Sequence, residues 1–127
     1  MTQIILDTHV LVWLYINDIE KISVKARQSI EQNELLISPI ILLELQYLFE
    51  IKRIMVDASE IYGDLNYRIG LRIEEKISWH NIVKESLKLS WTRDPFDRLI
   101  VSHASILNCN LVTKDNLITA NYHKIIW

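Results

Sequence analysis

The chain is poor in cysteine, glycine and proline, holds no apolar run long enough to cross a bilayer, and carries no excess of basic charge. A lone thiol, Cys109, cannot pair within the chain, which excludes a disulfide framework and leaves a ribbon or finger zinc site without ligands; a reducing, cytoplasmic setting is expected. Two Gly and two Pro among 127 residues, half of them apolar, exclude a disordered or low-complexity segment and imply a single domain over 1–127. The uncharged stretches 8–17 and 35–43 reach only about half the roughly 20 residues a membrane helix needs. The first residues lack the basic start of a signal peptide, and Asp7 interrupts their apolar run, so no membrane association is expected. Fourteen Lys and Arg against sixteen Asp and Glu give a net charge of −2. That weighs against a generally basic nucleic-acid-binding surface, though an acidic cluster can cancel a basic rim in the sum; any contact with a phosphate backbone must come from local residues, metal or a second subunit.

What the chain does have is an alternation of short strand-like apolar runs with helix-period segments, the pattern of an α/β fold with a parallel sheet. Strands are expected at 3–6, 34–38, 71–74, 110–113 and 124–126. Helices are expected at 8–15 with Thr8 near the cap, at 23–32, 57–69, 79–89, 95–107 and 115–120. A further helix over 39–52 has Ser38 as its expected cap and Pro39 at its first position. That helix is apolar nearly all round and is expected to be deeply packed.

The acids fall in telling places. Asp7 directly follows the first strand and Asp115 follows the strand 110–113, with Lys114 between. Open parallel sheets bind ligands beyond the carboxyl ends of their strands, so these two acids are expected to converge. Each alone reads equally well as a helix cap. Glu44 lies among Ile40, Ile41, Leu42, Leu43, Leu45 and Leu48, where an unpaired carboxylate costs several kcal/mol. It needs a metal, a partner such as Arg98, or a narrow exposed stripe shared with Gln46. In Arg93-Asp94-Pro95-Phe96-Asp97-Arg98, Asp94 reads as a cap and Asp97 as the acid of a short capping box. Taken together the acids form an oxygen-rich, sulfur-free set suited to Mg²⁺, with Mn²⁺ as substitute. A divalent ion there would relieve their repulsion and serve phosphodiester hydrolysis, with one metal or two left open.

These residues carry a resemblance over nearly the whole chain. Ile4-Ile5-Leu6-Asp7-Thr8-His9 with Trp13, Ile37-Ser38-Pro39 leading to Glu44, Arg93-Asp94-Pro95-Phe96-Asp97-Arg98-Leu99-Ile100, Leu111-Val112-Thr113-Lys114-Asp115 and the final Ile125-Ile126-Trp127 stand in order. The set resembles the PIN-domain ribonucleases, most closely the VapC-type toxins of toxin–antitoxin pairs. The resemblance implies an α/β/α sandwich around a parallel sheet and Mg²⁺-dependent endonucleolytic cleavage of RNA. It implies Asp7, Glu44 and Asp97 as the core catalytic and metal-binding acids, with Asp115 as the fourth. Asp97 takes that place over Asp94 because the family's third acid stands three residues before an Ile/Leu-rich helical stretch. Asp94 becomes a cap or outer contributor, and Ser38 and Thr113 become polar supports. A homodimer and a cognate VapB-type antitoxin laid near the metal site are also implied.

Of the remaining residues, Lys114, Arg98, Arg93 and Lys52-Arg53 are the phosphate-contact candidates, Lys114 foremost because it flanks Asp115. The four histidines are scattered without zinc spacing. Trp13 reads first as a helix-packing residue and Trp127 as the closure of a sheet edge, with base stacking the alternative. Two rival functions remain open from sequence: a phosphoreceiver-like signalling module, and a non-catalytic binding domain whose caps mimic ligands.

Overall fold

The computed structural model describes residues 2–127. Its elements run β1 (Gln3–Leu6), α1 (Thr8–Tyr15), a 3-10 turn (Ile19–Lys21), α2 (Val24–Gln32), β2 (Glu34–Ile37), α3 (Ile40–Glu50), α4 (Ala58–Ile69), β3 (Arg72–Ile73), α5 (Trp79–Ser86), α6 (Pro95–Leu107), β4 (Asn110–Val112), α7 (Asn116–Asn121) and β5 (Ile125–Ile126). The five strands pair in the order β3-β2-β1-β4-β5, every pair parallel, and helices flank the sheet as expected for an α/β/α architecture. Among the described residues no helix is long and apolar enough to cross a membrane.

Strand β1 is central because Ile4, Ile5 and Leu6 are apolar on both faces, as a strand covered by helices on each side must be. Ile5 sits opposite Leu36 on one side and Leu111 on the other, and none of the three is more than 4% exposed. From β1 the chain steps outward through β2 and β3, then returns to place β4 on the other side of β1. The carboxyl ends of β1 and β4 therefore flank the switch point, where a doubly wound sheet opens a crevice. The Asp7 amide donates to the Val112 carbonyl at 3.0 Å, which fastens the two ends together.

Three local expectations are corrected. Helix α3 begins at Ile40, with Pro39 as its cap residue and already helical; Ser38 contributes only its carbonyl, which accepts from the Ile41 amide, and its hydroxyl is buried without a partner. Asp7, not Thr8, caps α1, because its carboxylate meets the Thr8 amide at 2.8 Å. Nor is α3 deeply packed: Ile41 and Leu45 are buried, while Leu43, Tyr47 and Phe49 stay 58%, 49% and 37% exposed. An apolar helix this open presents a surface of the kind partners cover.

A buried pair escapes any reading of local sequence. Glu74, just beyond β3, accepts from His103 Nε2 of α6 at 2.7 Å, and from the amides of Lys76 and Ile77. Burial pushes the Glu74 carboxyl up, but these hydrogen bonds and the His103 ring outweigh it and hold it below the usual range. The pair ties the short edge strand to α6, the helix that carries Asp97.

Candidate active site

Four elements deliver carboxylates to one cleft of about 350 Å³, lined by Asp7, Glu44, Asp94, Asp97 and Asp115 together with His9, Val10, Trp13 and Lys114. Asp7 is almost fully buried at the switch point. Its Oδ1 accepts from the Thr8 amide, and its Oδ2 accepts from Thr113 Oγ1 at 2.6 Å. Thr113 Oγ1 also accepts from the Asp115 amide at 3.1 Å, so one hydroxyl orients both strand-end acids. Asp115 caps α7 by accepting from the Ile118 amide at 2.9 Å.

Glu44 reaches the same place from the second turn of α3, where it accepts from the Thr8 hydroxyl. Arg98 is not its partner; that guanidinium donates to the Thr92 carbonyl instead. At the start of α6 Asp94 does act as the cap, accepting from the amides of Phe96 and Asp97. The expected return bond of a capping box is not made by Asp97. The Asp94 amide donates to Thr92 Oγ1 at 3.1 Å, which leaves the Asp97 carboxylate free to face the cleft. Asp7, Asp94 and Asp115 are therefore caps as well as cleft residues, whereas Glu44 and Asp97 have no capping task to explain them.

The acids feel one another. Burial, then the neighbouring Asp94, Asp7, Asp115 and Glu44, push Asp97 up to about 7. Burial raises Glu44 to about 7 as well, reinforced by Asp7 and Asp94 and opposed by the Thr8 hydrogen bond. The Asp7 carboxyl is also raised, by burial above all. A group of hard oxygen donors whose charges disfavour one another matches what a divalent cation such as Mg²⁺ requires and relieves. Among the described residues no three acid, histidine or cysteine side chains are already drawn round one point as ligands.

The other candidates stand apart from the cleft. Ser38 is fully buried and lines no part of it, and Arg93 donates to the Ser90 carbonyl from an exposed position. Of the basic candidates Lys114 alone lines the cleft. Sequence reasoning missed Thr8 as the hydroxyl that holds Glu44, because a Thr at a helix start reads first as a cap. Trp13 packs against the core, as its first reading expected, and also lines the cleft.

The comparisons with known proteins agree with this architecture. The toxin–antitoxin complex VapBC2 from Rickettsia felis, bound to a DNA fragment from its promoter, contains a chain 22% identical, with 94% of this chain and 92% of that one covered and a TM-score of 0.62. DNA-bound VapBC from Salmonella typhimurium is 18% identical over 98% and 96% of the two chains, with a TM-score of 0.66. A toxin–antitoxin complex from Klebsiella pneumoniae is 19% identical over 98% and 96%, at 0.65. These likenesses establish a shared fold. No curated protein matches the sequence. The family model of the PIN domain matches residues 4–123, and with all but the chain's ends included in that match, the protein belongs to the PIN-domain family.

Proposed function

We propose that the protein is a divalent-metal-dependent endoribonuclease and the toxin of a VapC-type toxin–antitoxin pair. The observation that carries the reading is the convergence of Asp7, Glu44, Asp97 and Asp115, from two helices and two strand ends, on one cleft at the switch point of a PIN-domain sheet. These four would hold Mg²⁺, or Mn²⁺ in its place. The bound cation supplies an activated water and neutralises charge that develops on a phosphodiester.

The chain's own residues do the positioning. Thr113 and the Thr8 amide fix both oxygens of Asp7, so its carboxylate cannot turn away from the crevice. Thr8 holds one oxygen of Glu44 and leaves the other available. Asp97 and Asp115, unencumbered on their remaining oxygens, orient water for in-line attack that leaves a 5′-phosphate. Lys114 draws the backbone phosphate into an otherwise acidic cleft. The exposed Leu43, Tyr47 and Phe49 of α3 favour a protein partner, and the neighbours in VapBC complexes favour an antitoxin; a second copy and a cytoplasmic setting belong to the same proposal.

The test is cleavage of single-stranded RNA by protein and by an Asp7→Asn variant purified identically. Activity with Mg²⁺, lost with chelator and lost in the variant, is expected. Equal cleavage by the two proteins would assign the activity to a contaminant and overturn the reading.

A further inference from the structure

An acidic protein that cuts RNA faces an affinity problem: five carboxylates line the cleft, and among the described residues Lys114 is the one lysine there. Lys114 and a bound cation are the attractions this cleft offers a phosphate, and a charge-independent contact adds binding that they do not supply. Helix α1 offers one. It begins at Asp7, and the face bearing Val10 and Trp13, three residues apart, continues away from the acids along the cleft. Val10 and Trp13 line the cleft together with Asp7, so the indole and the strand-end acid share one crevice.

The ring is built as a fixed surface. The His9 and Trp127 rings brace it, each with centroids 6.1 Å away and tilted by 43° and 53°. Unlike Leu11 on the same helix, which is fully buried, Trp13 is only half-buried and remains open to the cleft. The ammonium of Lys114 stands over its face at 6.0 Å from the centroid. Among the described residues Lys114 forms no ion pair, although acids surround it. A cation resting on a ring face is easily surrendered to a phosphate, and its departure opens the π surface.

We propose, resting on the nuclease reading above, that Trp13 is a stacking platform for the nucleobase beside the scissile phosphate, with Lys114 taking the adjoining phosphate. The substrate is then single-stranded RNA, since a duplex keeps its bases stacked on one another. Base identity is read weakly, because every base has a π face.

The experiment measures binding by fluorescence anisotropy in millimolar Ca²⁺. The probes are a fluorescein-labelled single-stranded eight-nucleotide RNA of mixed A and U and an abasic ribose-phosphate chain of the same length. The wild type should hold the base-bearing RNA at least about fivefold more tightly than the abasic chain. Trp13→Leu, which keeps an apolar side chain but no π face, should erase that preference, and Trp13→Phe should keep most of it. Lys114→Ala should weaken both probes alike and lower the salt slope by about one. Equal affinity of the wild type for the two probes, with RNA cleavage intact, overturns this inference alone. So does a Trp13→Leu variant, folded by circular dichroism, that retains the preference. A folded wild type that neither binds nor cuts RNA overturns both this inference and the nuclease reading.

Discussion

Replacing Asp97 with asparagine should make the metal-free protein more stable. The change keeps volume and shape, and among the described residues the Asp97 carboxylate accepts no protein hydrogen bond that the variant would lose. What it removes is a charge disfavoured first by burial and then by Asp94, Asp7, Asp115 and Glu44, which together push the group from 3.8 up to about 7. Fully expressed, such a displacement corresponds to about 4 kcal/mol of disfavoured charge above pH 7. Solvent screening at a half-buried site reduces this to on the order of 1–2 kcal/mol. For a domain of this size that is a rise in Tm of about 3–8 °C. The sign with pH follows from the raised folded-state value: the wild type is favoured below the ordinary aspartate range, and that advantage is lost as pH rises from about 4 to about 7. Thermal melts in EDTA at pH 5 and pH 8 should show a larger gain for Asp97→Asn at pH 8. Adding millimolar Mg²⁺ should stabilise the wild type and shrink or reverse the gap. An Asn variant less stable than wild type at pH 8 without metal would refute the electrostatic reasoning.

Thr113→Val removes the hydroxyl shared by Asp7 and Asp115, and should weaken Mn²⁺ binding by about 10–100-fold in a calorimetric titration, with Thr113→Ser restoring most of it. Glu74→Ala strands a buried histidine and two amides, and should cost about 3–5 kcal/mol in urea unfolding. Because the Glu74 carboxyl is held low, its contribution is complete above 4.5 and disappears as pH falls through the depressed value; Glu74→Gln should flatten that part of the stability profile. Ile5→Ala, at a fully buried position of the central strand, should lower unfolding free energy by about 2–5 kcal/mol without altering the metal affinity measured in the remaining folded protein.

The parallel sheet was legible because its strands are short, apolar and bounded by acids that double as caps, as at Leu6-Asp7 and Val112-Thr113-Lys114-Asp115. The position of Glu44 was legible too, since a carboxylate amid so many aliphatic neighbours needs a reason. The hydroxyl links were not. Thr8 to Glu44 spans 36 residues and Thr113 to Asp7 spans 106, and such pairings exist only once the chain is folded. The shallow burial of α3 was misread for a related reason: apolar periodicity shows which residues prefer to be covered, not whether this chain or another covers them. Asp97 looked like half of a capping box because the competing hydroxyl, Thr92, lies outside the usual motif.

The claim on which the rest depends is that Asp7, Glu44, Asp97 and Asp115 share a hard cation. A crystal grown or soaked with millimolar Mn²⁺ and measured at a wavelength giving strong manganese anomalous signal tests it most directly. A peak in the cleft contacting Asp7 and at least two of the other three acids is the predicted result. Well-ordered carboxylates there with no anomalous peak, or manganese bound only elsewhere on the molecule, would contradict it.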